Sequence, residues 1–123
     1  MTPQRPYMLR AIYQWLVDNG ETPYVLVDAS VEGVSVPADV IKDDRVVLNI
    51  SPSAVQGLEL DLDIVAFSCR FSGREHDIYL PICSVCAIYS KDSGKGLEFE
   101  TGEYSAEERL AGPKKARPKL ELV

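Results

Sequence analysis

Cys83-Ser84-Val85-Cys86 is the one local spacing in this chain that matches a chemical motif. Such a pair serves redox exchange when it opens a helix after a strand, or supplies half of a structural zinc site when a second pair of ligands exists. Neither context is visible. Cys69 is the only other cysteine, His76 the only histidine, and Ile82, Val85, Ala87 and Ile88 surround the pair with residues of core type. Both cysteines are therefore expected to be buried and inert, and Cys69, in an apolar alternating run, likewise. Glu59, Asp61 and Asp63 could do acid-base work only in a cleft that sets their pKa values apart. Because they alternate with Leu58, Leu60, Leu62 and Ile64, they read as the solvated face of a strand. His76, between Glu75 and Asp77, reads as an exposed residue at a strand start. With no glycine-rich phosphate loop, no nucleophile elbow and no metal-ligand spacing, no enzyme is expected, and no cofactor or metal.

Function must then come from a surface, and the elements that present it can be read from periodicity. The chain has 123 residues, 46% apolar and 26% charged, which suits one domain with a modest core. No apolar run approaches the roughly 20 residues of a membrane-spanning helix, so no membrane partner is expected. The segment from Met1 to Arg10 lacks the apolar core of a signal peptide, and a cytoplasmic protein is expected. A first helix is read from Pro6 to Asn19, with proline in the first turn and Gly20 placed to cap the end. Arg10, Gln14 and Asp18 form one narrow polar stripe, leaving an apolar arc too wide for a single packing surface. Tyr7, Met8, Ala11, Ile12, Trp15 and Leu16 on that arc are candidates for a homodimer interface. The alternative is that the sheet wraps the helix within one chain.

After Thr22-Pro23 the pattern changes to period two and β-branched residues. Strands are read at Tyr24 to Asp28, Val34 to Val36, Arg45 to Ile50, Leu58 to Leu60, Ile64 to Phe71, Asp77 to Leu80, Cys86 to Ser90 and Leu97 to Glu100. Many short strands at close spacing predict a mainly β domain over 1–100, a strongly bent antiparallel sheet or small barrel behind an N-terminal helix. From Thr101 onward Glu, Lys, Ala, Gly and Pro dominate, so residues 101–116 read as a flexible linker within a disordered tail. Large apolar residues return in Arg117-Pro118-Lys119-Leu120-Glu121-Leu122-Val123, a pattern suited to an extended segment laid on a partner or on its own domain.

Charge narrows the partners. Residues 1–100 carry 8 Lys and Arg against 15 Asp and Glu, a balance of −7, which repels phosphate backbones and argues against nucleic acid. Peptide recognition remains. Val65, Phe67, Cys69 and Phe71 share one face of their strand and Ala66, Ser68 and Arg70 the other, while Arg45 to Ser51 is apolar on both faces through Val46, Leu48, Ile50 and Val47. A small barrel with apolar side chains to spare can offer a peptide groove oriented by Asn49 or Arg70.

Read together, these segments resemble the stringent starvation protein B family, the ClpXP protease specificity-enhancing factors. The resemblance rests on Thr2-Pro3-Gln4-Arg5-Pro6-Tyr7-Met8-Leu9-Arg10-Ala11-Ile12-Tyr13-Gln14-Trp15-Leu16, Thr22-Pro23-Tyr24 with Val27-Asp28, and Val34-Ser35-Val36-Pro37. It continues through Val47-Leu48-Asn49-Ile50-Ser51-Pro52-Ser53-Ala54-Val55, Phe67-Ser68-Cys69-Arg70-Phe71-Ser72-Gly73, and Pro81 with Ala87-Ile88-Tyr89. It implies an Sm-like barrel behind a dimerising helix, and an adaptor that holds ssrA-tagged peptides and proteins while docking on the N-terminal zinc-binding domain of the ClpX unfoldase. The groove residues it implies are Asn49, Ile50, Ser51, Ala54, Val55, Phe67, Cys69, Arg70 and Phe71. The segment Arg117, Pro118, Lys119, Leu120, Glu121, Leu122 and Val123 resembles the family's unfoldase-docking motif. A 16-residue linker over 101–116 would span about 22 Å and hold tag and unfoldase at an effective concentration on the order of millimolar. The alternative of another class is an Sm-like RNA-binding or translation-associated module, which would need a basic patch.

Overall fold

A computed structural model describes residues 3–99. The linker expected at 101–116 and the docking motif expected at 117–123 lie outside the described residues. Helix α1 spans Arg5–Asp18 with proline in its first turn. It stops where Gly20 takes φ 72°, a left-handed conformation that costs glycine nothing. That turn lets the Gly20 amide donate to the Val17 carbonyl at 3.0 Å and the Glu21 amide to Leu16 at 2.9 Å, closing the orphan carbonyls of the last turn. Among the described residues no helix is long and apolar enough to cross a membrane.

Seven strands follow: β1 Pro23–Asp28, β2 Arg45–Asn49, β3 Val55–Leu60, β4 Ile64–Phe71, β5 Arg74–Pro81, β6 Val85–Ser90 and β7 Gly96–Glu98. They pair antiparallel in two sheets, one ordered β2-β1-β6-β7 and the other β3-β4-β5. The fold is thus mainly β with one N-terminal helix, but the expected barrel is not closed. Closure needs a ladder between the sheets, and among the described residues the one strand that pairs with β2 is β1. After Asn49 the chain leaves the sheet through a turn in which the Ser51 carbonyl accepts the amides of Ala54 and Val55, so β3 starts in the second sheet without pairing to β2. Ser72 and Gly73, at φ 53° and 80°, make the tight link from β4 to β5 with the twist that hairpins prefer.

The core lies between the two bent sheets. Alternate residues face it: Val25 and Val27, Val46 and Leu48, Val65 and Phe67, Ile78 and Leu80, with Leu9 and Leu16 of α1 closing one end. Arg5, 4% exposed, anchors the helix start. Its Nη1 donates to the carbonyls of Cys83 at 3.1 Å and Val85 at 3.0 Å, and its guanidinium lies 5.3 Å from the Phe99 ring centroid. Several expectations need correction. Asp63 is not on a solvated face but 5% exposed, where its carbonyl receives the Ile82 amide at 2.9 Å. Val34 to Val36 form no strand: only Ser35 bridges, to Tyr79. Cys83 is buried, in the 3-10 turn Ile82–Ser84, whereas Cys86 and Cys69 are half-buried. His76 is half-buried as well, its ring 5.8 Å from that of Phe71.

Candidate functional site

The missing ladder leaves a gap between the sheets, and the gap is a slot. Its volume is about 240 Å³, with Val47, Leu48 and Asn49 of β2 on one wall and Phe67, Cys69, Arg70 and Phe71 of β4 on the other. Tyr24 of β1 and Ala54 complete it. Past Ala54, Cys69 and Arg70 the slot continues into a second trough of about 440 Å³, where Pro52, Ser53, Gln56, Ser68 and Glu75 add polar groups. An apolar compartment and a polar one, sharing three residues, suit a chain-like ligand longer than either.

Each wall has a local cause. On β4 the period-two run turns Val65 and Phe67 inward, and towards the Phe71 end the strand opens from the core, leaving Cys69 and Phe71 half-buried at the slot. His76, opposite Cys69 in the register with β5, packs its ring against Phe71 and so fixes that wall. Burial pushes the Cys69 thiol above its ordinary pKa, so it is a neutral apolar lining group and no activated nucleophile, although His76 stands across the ladder. On β2, Asn49 does a structural job: its Oδ1 accepts the Ser51 amide at 2.9 Å, shaping the turn that carries Ala54 into the slot. Ser68 Oγ donates to Asp77 Oδ1 at 2.7 Å across β4 and β5. Arg70 is exposed and has no hydrogen-bond or ion-pair partner among the described residues, so its five donors face the groove uncommitted.

Of the nine residues nominated from the sequence, the structure brings seven to the groove: Asn49, Ala54, Val55, Phe67, Cys69, Arg70 and Phe71. Val55 and Phe67 form floor more than wall, being 7% and 4% exposed. Ile50 and Ser51 are not lining residues. Ile50 is fully buried in the core, because β2 alternates and Ile50 follows Val46 and Leu48 inward, and Ser51 is 7% exposed within the turn. The sequence reading missed Tyr24, Val47 and Leu48 in the slot and the polar additions of the trough named above. Val47 carried a signal, since a valine on the solvent face of a half-buried strand asks for an explanation, and it is 48% exposed.

A second surface lies on α1. Tyr7, Met8 and Trp15 are 47%, 38% and 46% exposed, with Ala11 exposed among them. Ile12 is half-buried against the core. Leu16 is corrected: at 1% exposed it belongs to the chain's own core and has no area left for a partner.

Comparison with known proteins gives a family for the chain. The family model for SspB, stringent starvation protein B, matches residues 3–121. The stringent starvation protein B homolog of Haemophilus influenzae is 47% identical over 102 residues, covering 83% of this chain and 68% of that protein.

Proposed function

The chain belongs to the stringent starvation protein B family, and from that premise we propose that it is a proteolysis adaptor, which holds ssrA-tagged peptides in the slot and delivers them to the ClpX unfoldase. The observation that carries the reading is the groove of slot and trough, where seven residues nominated as tag contacts converge from β2, the following turn, the start of β3 and β4. An adaptor needs no chemistry, only a groove for the tag and a second contact for the unfoldase. Arg117 to Val123 supply that contact on the ClpX zinc-binding domain, through the 101–116 linker. Tethering makes weak contacts sufficient, because the second binding event becomes intramolecular. Two copies joined through Tyr7, Met8, Ala11 and Trp15 place two tails on one substrate carrier and add avidity.

The test is fluorescence anisotropy of a labelled ssrA-type peptide titrated with the protein and with a variant carrying Arg70→Ala and Phe71→Ala. Both positions are accessible enough to change without emptying the core, unlike Phe67. Saturable binding in the low-micromolar range that the variant loses is the expected result. No binding at tens of micromolar would end the adaptor reading. For the tail, removal of Arg117 to Val123 leaves peptide binding intact and abolishes the acceleration of degradation; unchanged acceleration would refute the docking role.

A further inference from the structure

Asn19-Gly20, at the end of α1, can modify itself without any partner. The backbone nitrogen that follows an asparagine can attack the asparagine side-chain carbonyl carbon, and the reaction is fastest before glycine, which has no side chain to crowd that nitrogen. The chain has one other asparagine, Asn49. It precedes Ile50, whose branched side chain shields the nitrogen and whose amide is committed to the Pro23 carbonyl at 3.0 Å. Asn19 and Gly20 are both exposed, so the water that must finish the reaction reaches them.

The closed end of the helix holds this reaction off in three ways. Asn19 has φ −97° and ψ 12°. Attack needs the Gly20 nitrogen eclipsed with the Asn19 Cβ about the Cα–C bond, and from ψ 12° that bond must turn through well over a right angle. The Gly20 amide, which must give up its proton before it attacks, donates to the Val17 carbonyl at 3.0 Å. The side-chain amide that must leave is drawn back along the helix, its Nδ2 donating to the Trp15 carbonyl at 2.8 Å. The bonds that cap α1 therefore also keep Asn19 unreactive. An exposed last turn is where a helix opens at least cost. This one ends in Asp18 and carries no basic residue, so nothing offsets the negative end of its dipole.

We propose that Asn19-Gly20 is a self-deamidation site whose gate is the fraying of the last turn of α1. When the turn opens, the Gly20 nitrogen loses its proton to solvent and forms a bond to Asn19 Cγ. Ammonia leaves with the electron pair of the Cγ–Nδ2 bond and a proton from water, and a five-membered imide is left. A second water opens the imide at either carbonyl, giving aspartate, or isoaspartate with the backbone rerouted through Cβ and Cγ. Either product replaces the donor to the Trp15 carbonyl by a carboxylate beside Asp18, at the end of the helix where negative charge is unfavourable. Isoaspartate also lengthens the backbone by one carbon just before the Gly20 and Glu21 amides that close the turn. Once modified the turn stays open, one turn from the exposed Trp15, and the change runs one way.

The experiment follows the full chain by peptide-mapping mass spectrometry at fixed pH and temperature, in buffer and in denaturing urea, a comparison that needs no variant. Conversion in urea is confined to Asn19, with Asn49 unchanged as the internal control, and in buffer it is at least about tenfold slower. Gln14→Gly, an exposed substitution in the turn before the dipeptide, weakens the helix without touching the reacting atoms. It speeds conversion in buffer about fivefold and leaves the rate in urea unchanged. Hydrogen exchange of the Gly20 amide quickens by the same factor. In Asn19→Asp, exchange of the Glu21 amide quickens severalfold, because the turn no longer closes. Equal rates in buffer and urea overturn the gate, and no conversion of Asn19 in urea overturns the site. A rate in buffer that Gln14→Gly does not change, while exchange at Gly20 does, overturns fraying as the gate. Unaltered exchange at Glu21 in Asn19→Asp overturns the opening of the turn by the product.

Discussion

Helix α1 and strand β2 both expose large apolar side chains, yet they can recruit different partners. On α1 the backbone is internally satisfied, so Tyr7, Met8 and Trp15 offer only contact area, which favours any complementary apolar face, including a second copy of itself. On β2 the exposed Val47 stands beside backbone groups of Val47 and Asn49 that have no partner among the described residues, and such groups favour an extended partner of matching spacing. An exposed valine and an exposed tryptophan thus differ less in hydrophobicity than in what the backbone beneath them has left to give. The proposed self-association and the proposed peptide capture thus fall on separate faces, and each can be tested alone.

The largest effect comes from confusing the two sides of α1. Leu16 and Trp15 are adjacent in sequence, but Leu16 is 1% exposed and Trp15 46%. Leu16→Ala empties core space and should destabilise the fold by about 2–5 kcal/mol, measured by urea unfolding at fixed protein concentration. Trp15→Ala should move the same curve little once the protein is dilute. If both variants unfolded at similar urea, the exposed face would be part of the monomer's own core, and the contrast with β2 would lapse.

Next in size is the dimer contact. Trp15→Glu places a charge on the exposed face and should weaken self-association by about 2 kcal/mol or more, roughly thirtyfold in dissociation constant. Sedimentation velocity reads it, and peptide anisotropy of the same variant should be unchanged. A monomeric wild type at micromolar concentration would remove the dimer, and loss of peptide binding in the variant would show that the two faces are not independent.

How much of this was legible in the sequence depends on how local the cause is. β4 was readable to the residue, because Val65, Phe67, Cys69 and Phe71 keep strict alternation from Ile64 to Phe71. β3 was not: the Gln56-Gly57 pair reads as a turn, but here Gly57 makes a bulge within a strand that begins at Val55. β5 starts at Arg74, earlier than its apolar pattern, since Arg74, Glu75 and His76 pair with the exposed end of β4 and need no core contact. Barrel closure was the largest error, because whether β2 meets a strand of the other sheet depends on the turn after Asn49 and on no pattern within β2. The same turn explains the site. Segment resemblance nominated a stretch of chain that lies partly along the groove, but it included Ile50 and Ser51, which alternation and the turn bury.

That turn can be tested directly. Asn49→Ala removes the acceptor of the Ser51 amide and should cost about 1 kcal/mol of stability, while Asn49→Asp, which keeps an acceptor in place, restores it. Peptide affinity should follow the same order if Asn49 acts by shaping the turn. If Asn49→Asp recovered stability and peptide binding stayed weak, the side-chain amide itself would touch the peptide, and β2 would recognise by side chain as well as by backbone.

The smallest effect concerns the far end of the same strand pair, where α1 has no counterpart. Burial alone would raise the Asp28 carboxyl, but hydrogen bonds from the Ser30 hydroxyl at 2.6 Å and amide at 3.0 Å, with Arg45 at 3.3 Å, together hold it below the ordinary carboxylate range. A carboxyl with a lowered native pKa binds fewer protons folded than unfolded, so its contribution is complete above the unfolded value of about 3.9 and disappears as pH falls through the native one. The Arg45 side chain is half exposed, and the contribution should stay under about 1 kcal/mol. Glu21 is shifted in the same direction by hydrogen bonds from Ser90 and Ser93, so acid unfolding of the wild type alone would not isolate Asp28. The difference between wild type and Asp28→Asn does: the variant should be less stable above pH 5, with the gap closing as pH drops below 4. A gap independent of pH would mean that Asp28 holds the β1–β2 end by hydrogen-bond geometry and not by charge, and the presentation of the β2 edge would then be insensitive to acid.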